Sequence, residues 1–157
     1  MPLLPDAPLL TCLAFLDFAL HLSTNTIGPI IIAQKLLKFS PPIIKNIIFI
    51  SSDSGSATNF RDFEDGFGAY AASKAALNQM LRHMAAELKR QDSDVCVLAM
   101  HPGEVMTDMA ANVEVEWEVE GIISVEESVS KMLPVIESKS PKDSGTFWTW
   151  DGREHPW

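Results

Sequence analysis

Cysteine is nearly absent from the chain. The only two, Cys12 and Cys96, lie far apart, each in an apolar run. That pattern supports neither a disulfide framework nor a thiolate metal site, and it predicts buried thiols in a reducing compartment. The four histidines show no ligand spacing with cysteines or carboxylates, so no metal is expected. Basic residues are in the minority, 12 against 21 acidic ones, for a net charge of −9. Such a chain lacks the electrostatic footprint of a protein that binds nucleic acid or anionic membranes, and neither is expected as a partner. Charge-free apolar runs of membrane-spanning length are missing too. The strongly apolar start, residues 1–22, is interrupted by Asp6 and Asp17, carries Pro2, Pro5 and Pro8, and has no basic n-region. A signal peptide and a membrane span both fit it poorly, and a cytoplasmic location is expected.

What is present suits one globular domain. The chain has 157 residues, of which 46% are apolar and 21% charged, enough for one real core but cramped for two. Residues 1–8 are proline-rich and read as irregular. Apolar spacing from Leu9 to about Phe39 predicts a long helix, broken or kinked around Gly28-Pro29 and closed by Pro41-Pro42. Ile43 to Ile50 is short, isoleucine-rich and nearly all apolar, which predicts a strand buried on both faces. Ser51 to Gly68 reads as a loop, Ala71 to Lys89 as a helix, and Val95 to Met100 as a second buried strand. An acidic, irregular stretch runs from Thr107 to Gly121. Ser124-Val125-Glu126-Glu127 has the form of a capping box, opening a helix from Val125 to about Ser138 that Pro134 strains. Gly145 to Trp150 reads as a third strand, ended by a turn at Asp151-Gly152.

Helix and strand therefore alternate, the pattern of an α/β fold with parallel strands and helical crossovers. In such sheets the ligand site lies beyond the carboxyl ends of the strands. Ser51-Ser52 and Pro102-Gly103 both follow strands, and Tyr70 opens the helix after the first of them. Tyr70 and Lys74 are four residues apart, so they share a helix face. A free phenol titrates near ~10. A nearby ammonium favours the phenolate, and Lys74 is expected to lower the Tyr70 pKa into a useful range. Taken singly, each feature has a plain structural explanation: a surface lysine near a half-buried tyrosine, or serines in a turn. Their joint arrival at one sheet edge is what makes a site.

The motifs Asn25-Thr26-Ile27-Gly28, Ile50-Ser51-Ser52-Asp53-Ser54-Gly55, Tyr70-Ala71-Ala72-Ser73-Lys74 and Pro102-Gly103-Glu104-Val105-Met106-Thr107 occur in this order. In order and spacing they resemble the short-chain dehydrogenase/reductase family, from about Leu9 to the C-terminus. Between Ser52 and Tyr70 the chain is several residues longer than in common members, implying a loop insertion at roughly Asn59 to Gly66. Thr107-Asp108-Met109, with Asp151-Gly152 and Pro156-Trp157, is most similar to fungal ketoreductases acting on polyketide or aromatic ketones.

The resemblance implies a Rossmann-type doubly wound sheet, of which residues 9–157 would be the C-terminal, catalytic half: about three parallel strands with flanking helices. It implies carbonyl reduction, or alcohol oxidation, with NADP or NAD, NADP being favoured. Tyr70 would be the general acid or base. Lys74 would assist it and bind the nicotinamide ribose, and Ser52 (with Ser51 as its rival) would donate to the substrate oxygen. Asn25 would position a water that relays protons to Lys74. Pro102, Gly103, Val105 and Thr107, with Tyr70 and Lys74, would contact the cofactor; Gly103 would let the backbone approach a flat ring and Thr107 would bond the carboxamide. The substrate would be a small-molecule ketone or alcohol. Phe60, Phe63, Phe67 and Trp117 are candidates to stack on it, or simply to pack locally. The Asn25 and Tyr70 helices would form a homodimer interface.

The family's first strand and its glycine-rich pyrophosphate turn have no counterpart here, so the nucleotide-binding half is expected to be lacking. Cofactor affinity should then be reduced, and the strand ending at Ile50 should be an edge with isoleucines on both faces. A second reading is a truncated, non-catalytic remnant serving as a dimerisation or interaction module.

Overall fold

The computed structural model describes residues 15–39, 43–64, 66–107, 119 and 121–157. Residues 1–14 (with the expected helix start at Leu9 and Cys12), the Pro41-Pro42 stop, and residues 108–118 of the acidic stretch, Trp117 among them, lie outside them. The described part of the first helical run is continuous from Phe15. It comprises α1 (Phe15–Leu22), a π-helical turn (Ser23–Ile27) and α2 (Gly28–Phe39). The expected irregularity is therefore real, but it precedes Gly28-Pro29. Pro29 has no N–H to bond the Asn25 carbonyl four residues back, so an α-helix cannot pass through regularly. The ladder widens instead, and the Gly28 N–H bonds the Ser23 carbonyl five residues back.

The sheet has three parallel strands in the order β1 (Asn46–Ile50), β2 (Cys96–His101), β3 (Thr146–Thr149). Asn46 pairs with Cys96 and Ile50 with Met100; Leu98 pairs with Thr146 and His101 with Thr149. β1 is shorter than its apolar run. Ile43 is 79% exposed and lies outside the strand; the ladder starts where the Cys96 N–H bonds the Lys45 carbonyl at 2.8 Å, two residues after Ile43. Helix α3 (Gly68–Arg90) connects β1 to β2 and starts ahead of the expected Ala71. Helix α4 (Val125–Glu137) connects β2 to β3. Ser124 caps α4 by accepting from the Glu127 N–H at 3.1 Å, while the Glu127 carboxylate turns to Lys131 at 2.8 Å. Only half of the capping box is thus made.

The core lies where α2 and α3 cover the sheet. Ile30, Ala33, Leu77, Leu81, Met84 and Ala85 meet Phe49, Val97, Ala99 and Phe147. Cys96 to Met100 are all fully buried, and they alternate between the two faces, so β2 is enclosed on both. The tail folds back on the sheet. After a turn in which Gly152 has φ +87°, Glu154 bridges Trp148 and Trp157 stacks on Phe147 at 5.4 Å. No described helix is long and apolar enough to cross a membrane.

Candidate active site

Parallel pairing fixes where the chemistry gathers. β1 ends at Ile50 beside Met100, and the Ser51 N–H bonds the Met100 carbonyl at 2.8 Å. The loops after β1 and β2 therefore leave the sheet side by side. The two serines then part. Ser51 is 2% exposed, and its hydroxyl donates to Asn78 Oδ1 at 2.6 Å. Asn78 in turn donates to the Gly55 carbonyl at 3.2 Å. Ser51 thus ties the turn to α3, and Ser52 is left to face the site. The S-x-x-G frame has a steric cause as well: a Cβ on Gly55 would lie 2.7 Å from Lys74 Cβ. Only glycine lets the turn lie this close to the helix that carries Lys74.

Tyr70 stands in the first turns of α3, its ring edge-on to Phe67 and to His21, each at 6.1 Å. Lys74 Nζ lies 5.5 Å from the centre of the Tyr70 ring and donates to the Ile50 carbonyl at 2.9 Å. The shared helix face is confirmed, but the expected direction of the pKa effect is not. Burial pushes the Tyr70 phenol above its ordinary value of 10; a hydrogen bond from Ser52 pulls it down, and the charges of Asp53, Glu104 and Glu64 push it further up. The reason is local geometry. Lys74 turns one of its three N–H groups to the Ile50 carbonyl, and burial disfavours its charged form and lowers its own pKa.

Asn25 lies in the π-helical turn. Its side chain donates to Ser73 Oγ at 3.0 Å and lies 3.4 Å from His21 Nδ1. Thr26 beside it donates to the Ser73 carbonyl at 2.7 Å. The Asn25 side chain thus ties the π-helical turn to α3 one residue before Lys74.

The loop after β2 holds a second difference. Gly103 has φ +89°, and a Cβ there would lie 2.8 Å from Trp150 and 2.9 Å from Ile123. The flat ring that its missing side chain admits is the indole of Trp150. Ser128 donates to the Pro102 carbonyl at 2.6 Å, and Val105 bridges Ile123, so the backbone of residues 102–106 is held from the α4 side. Thr107 lies at the end of the described part of this loop.

Local motifs gave no sign of one cluster. Arg61, from the inserted loop, pairs with Asp53, with Glu64 at 3.0 Å and with Glu104 at 3.2 Å. The Asp53 N–H donates to His101 Nδ1 at 3.3 Å. Burial lowers the Arg61 pKa, but the three carboxylates outweigh it and the net shift is upward. Burial also lowers His101, against the pull of Asp53 and Glu104. Asp53, His101 and Glu104 bring ligand-type atoms within 4.8 Å of one another. The cation among them is the Arg61 guanidinium, which makes this an ion-pair cluster. Its members come from separate segments, so spacing could not reveal it; an Asp directly after the serine was the available clue. In the inserted loop Phe60 is exposed, and Phe63 lies under Arg61 at 5.0 Å.

The chain is similar to known proteins over most of its length. The family model for short chain dehydrogenase matches residues 13–117. An uncharacterized oxidoreductase of Schizosaccharomyces pombe is 36% identical over 146 residues, covering 84% of this chain and 55% of its own. C-signal of Myxococcus xanthus is 33% identical over 144 residues, covering 91% and 80%. The NADPH-bound carbonyl reductase from chicken fatty liver superposes with a TM-score of 0.80 at 31% identity, covering 100% of this chain and 64% of its own. The chain thus spans about half the length of the yeast oxidoreductases it matches.

Proposed function

The chain belongs to the short-chain dehydrogenase family, and on that premise we propose that its site reduces a carbonyl with a nicotinamide cofactor. The observation that carries the reading is Tyr70 and Lys74 on one face of α3, the Lys74 ammonium 5.5 Å from the Tyr70 ring, with Ser52 near enough to pull the phenol's pKa down. A protonated phenol is the form a reductase needs, since its proton goes to the substrate oxygen as negative charge develops there. Ser52 would hold that oxygen within reach of Tyr70. Lys74 would steady the phenolate left behind, and Asn25 would keep Lys74 and α3 in register.

The donor set fits the ribose end of a nicotinamide cofactor: a phenol and an ammonium one helical turn apart can both bond a diol. Tyr70, Lys74, Pro102, Gly103, Val105 and Thr107 would hold that end. When bound, the cofactor supplies the hydride. NADP is preferred over NAD because a structural neighbour with 31% identity is NADPH-bound. The proposed substrate is a small flat ketone of the secondary-metabolite kind, with Phe67 beside Tyr70 and Phe63 in the adjoining loop. The proposal includes one partial Rossmann-like domain over 1–157, a cytoplasmic location, and a homodimer through the Asn25 and Tyr70 helices.

A second reading, a dimerisation or interaction module without catalysis, draws on the exposure of Ile27, Ile31, Ile32 and Leu36 along the Asn25-bearing run. One experiment separates the two. The purified chain is titrated with NADPH and NADH by nicotinamide fluorescence, then assayed with aromatic ketones. Saturable binding weakened by Lys74→Ala, and turnover falling about a hundredfold or more in Tyr70→Phe, is the expected result. No binding by a folded chain, or full turnover by Tyr70→Phe, overturns the catalytic reading.

A further inference from the structure

The turn that carries Ser52 and the loop that carries Pro102, Gly103 and Val105 lie side by side, and one side chain spans them. Arg61 Nη1 donates to Asp53 Oδ2 and, at 3.2 Å, to Glu104 Oε1. Its Nε donates to Glu64 Oε1 at 3.0 Å, and Phe63 lies against the guanidinium at 5.0 Å. A guanidinium is planar, so the bond from Nε fixes where both hydrogens on Nη1 point. The inserted loop thus aims one hydrogen at each of the two segments.

Both anchors are fastened in turn. Asp53 Oδ1 accepts from the Ser52 hydroxyl at 3.1 Å and from the Ser54 N–H at 2.9 Å. The Asp53 N–H donates to His101 Nδ1 at 3.3 Å. On the other side the Glu104 carbonyl accepts from the Ile123 N–H at 2.9 Å, and the Met106 N–H donates to the Ile123 carbonyl at 3.1 Å. The Asp53 and Glu104 carboxylates come within 4.8 Å of each other. Without a cation they would push their segments apart; with Arg61 between them the same charges draw the segments together.

We propose that Arg61 is a positioning residue of the site: its guanidinium holds the Ser52 turn and the loop at residues 102–105 at a fixed separation. What this does for reduction rests on the proposed function. Ser52 would hold the substrate oxygen and residues 102–105 the nicotinamide end, so their separation sets the distance over which hydride moves. A misplacement of about 1 Å can cost roughly a hundredfold in rate.

The bridge is read without cofactor or substrate, by hydrogen–deuterium exchange of the purified chain. Arg61→Met should speed exchange by about tenfold in peptides covering residues 52–56 and residues 103–107, while β2 and α3 keep their rates. Acceleration confined to the inserted loop, or none, overturns the proposal. Glu104→Met tests the bridge from its far end. If Arg61 joins the segments, losing that anchor loosens the Ser52 turn, and exchange at residues 52–56 rises. If the carboxylates merely repel, the same change relieves the turn; exchange there that stays or falls overturns the proposal. In an Arg61→Met background only the repulsion is left, so Glu104→Met should then slow exchange at the turn. Equal acceleration in both backgrounds would mean that Glu104 acts without Arg61, and the bridge falls. If Arg61→Met does not fold, Glu104→Met in the unaltered chain decides alone.

In ketone reduction, Arg61→Met should lower kcat by about tenfold or more, a larger change than in the ketone KM. Arg61→Lys keeps the charge but not the planar fork, and should restore part of the loss. A full kcat in Arg61→Met overturns the positioning role. If the unaltered chain reduces no ketone, the proposed function fails, and the exchange rates still decide the bridge.

Discussion

β1 and β2 are adjacent strands of similar apolar character and opposite fates. β2 has a strand on each side and side chains covered on both faces, and every residue from Cys96 to Met100 is buried. β1 has one partner among the described residues. Of its five residues only Phe49 is fully buried, and Ile50 is 49% exposed. An apolar run signals that a strand wants covering, whereas burial depends on what covers it. The site inherits this asymmetry: its turn is anchored on the β2 and α3 side, and its inserted loop projects from the end of β1.

The largest expected effect tests that contrast directly. Leu98→Ala in β2 should cost about 3 kcal/mol, since a fully buried side chain is lost and its surroundings cannot collapse. Ile50→Thr in β1 should stay within about 0.5 kcal/mol, as for other surface changes. Urea denaturation of both variants reads the difference. Comparable losses would mean that β1 is covered in solution, as a homodimer or interaction module would require.

The covered half of the molecule was the half legible in the sequence. β2, β3, α3 and the cap at Ser124 follow from local periodicity and capping chemistry, and the structure changes them by a few residues at most. Tyr70 and Lys74 share a face because helical spacing obliges them to. What could not be read depended on partners distant in sequence. Arg61 meets Glu104, and Asp53 meets His101, only because parallel pairing brings the ends of β1 and β2 together. The pKa direction of Tyr70 was missed for the same reason, since burial and three carboxylates decide it. The room at Gly103 was expected for a cofactor ring, yet it depends on Trp150, which only the fold places there. Ile43 and Ile44 read as strand because composition does not show where a neighbouring strand begins.

The adjacent serines sharpen the contrast on a finer scale, one facing the closed core and the other the site. Ser51→Ala removes the donor to a buried Asn78 oxygen and should cost about 1 to 3 kcal/mol, with the site's chemistry altered only as far as the turn loosens. Ser52→Ala removes only the cap of a short turn and should cost less, about 0.5 to 1 kcal/mol, while carbonyl reduction falls by about a hundredfold. Measuring stability and turnover on both variants gives a crossed pattern. If Ser51→Ala instead kept full stability and lost activity, the assignment of the two serines would have to be exchanged.

The smallest effect concerns two stacked histidines. His101 and His155 stack at 6.3 Å, and burial lowers both from the ordinary 6.5. The unfolded chain therefore takes up protons at a pH where the folded chain still resists them. Their contribution to stability is fully present above the unfolded value of 6.5 and is lost as pH falls from there toward the lower folded values. The urea midpoint should therefore drop as pH falls below the ordinary histidine value of 6.5. Asp143 does not confuse this window. Its pKa is lowered by Ser140 hydrogen bonds, so its contribution is lost only as pH falls below the ordinary 3.8. His155→Phe keeps an aromatic ring against Phe147, where the histidine now sits edge-on at 4.8 Å, and removes one of the two titrating groups. The variant should show a shallower fall across the same range. An undiminished slope would mean that His155 contributes nothing and that the acid sensitivity lies with His101 or another group.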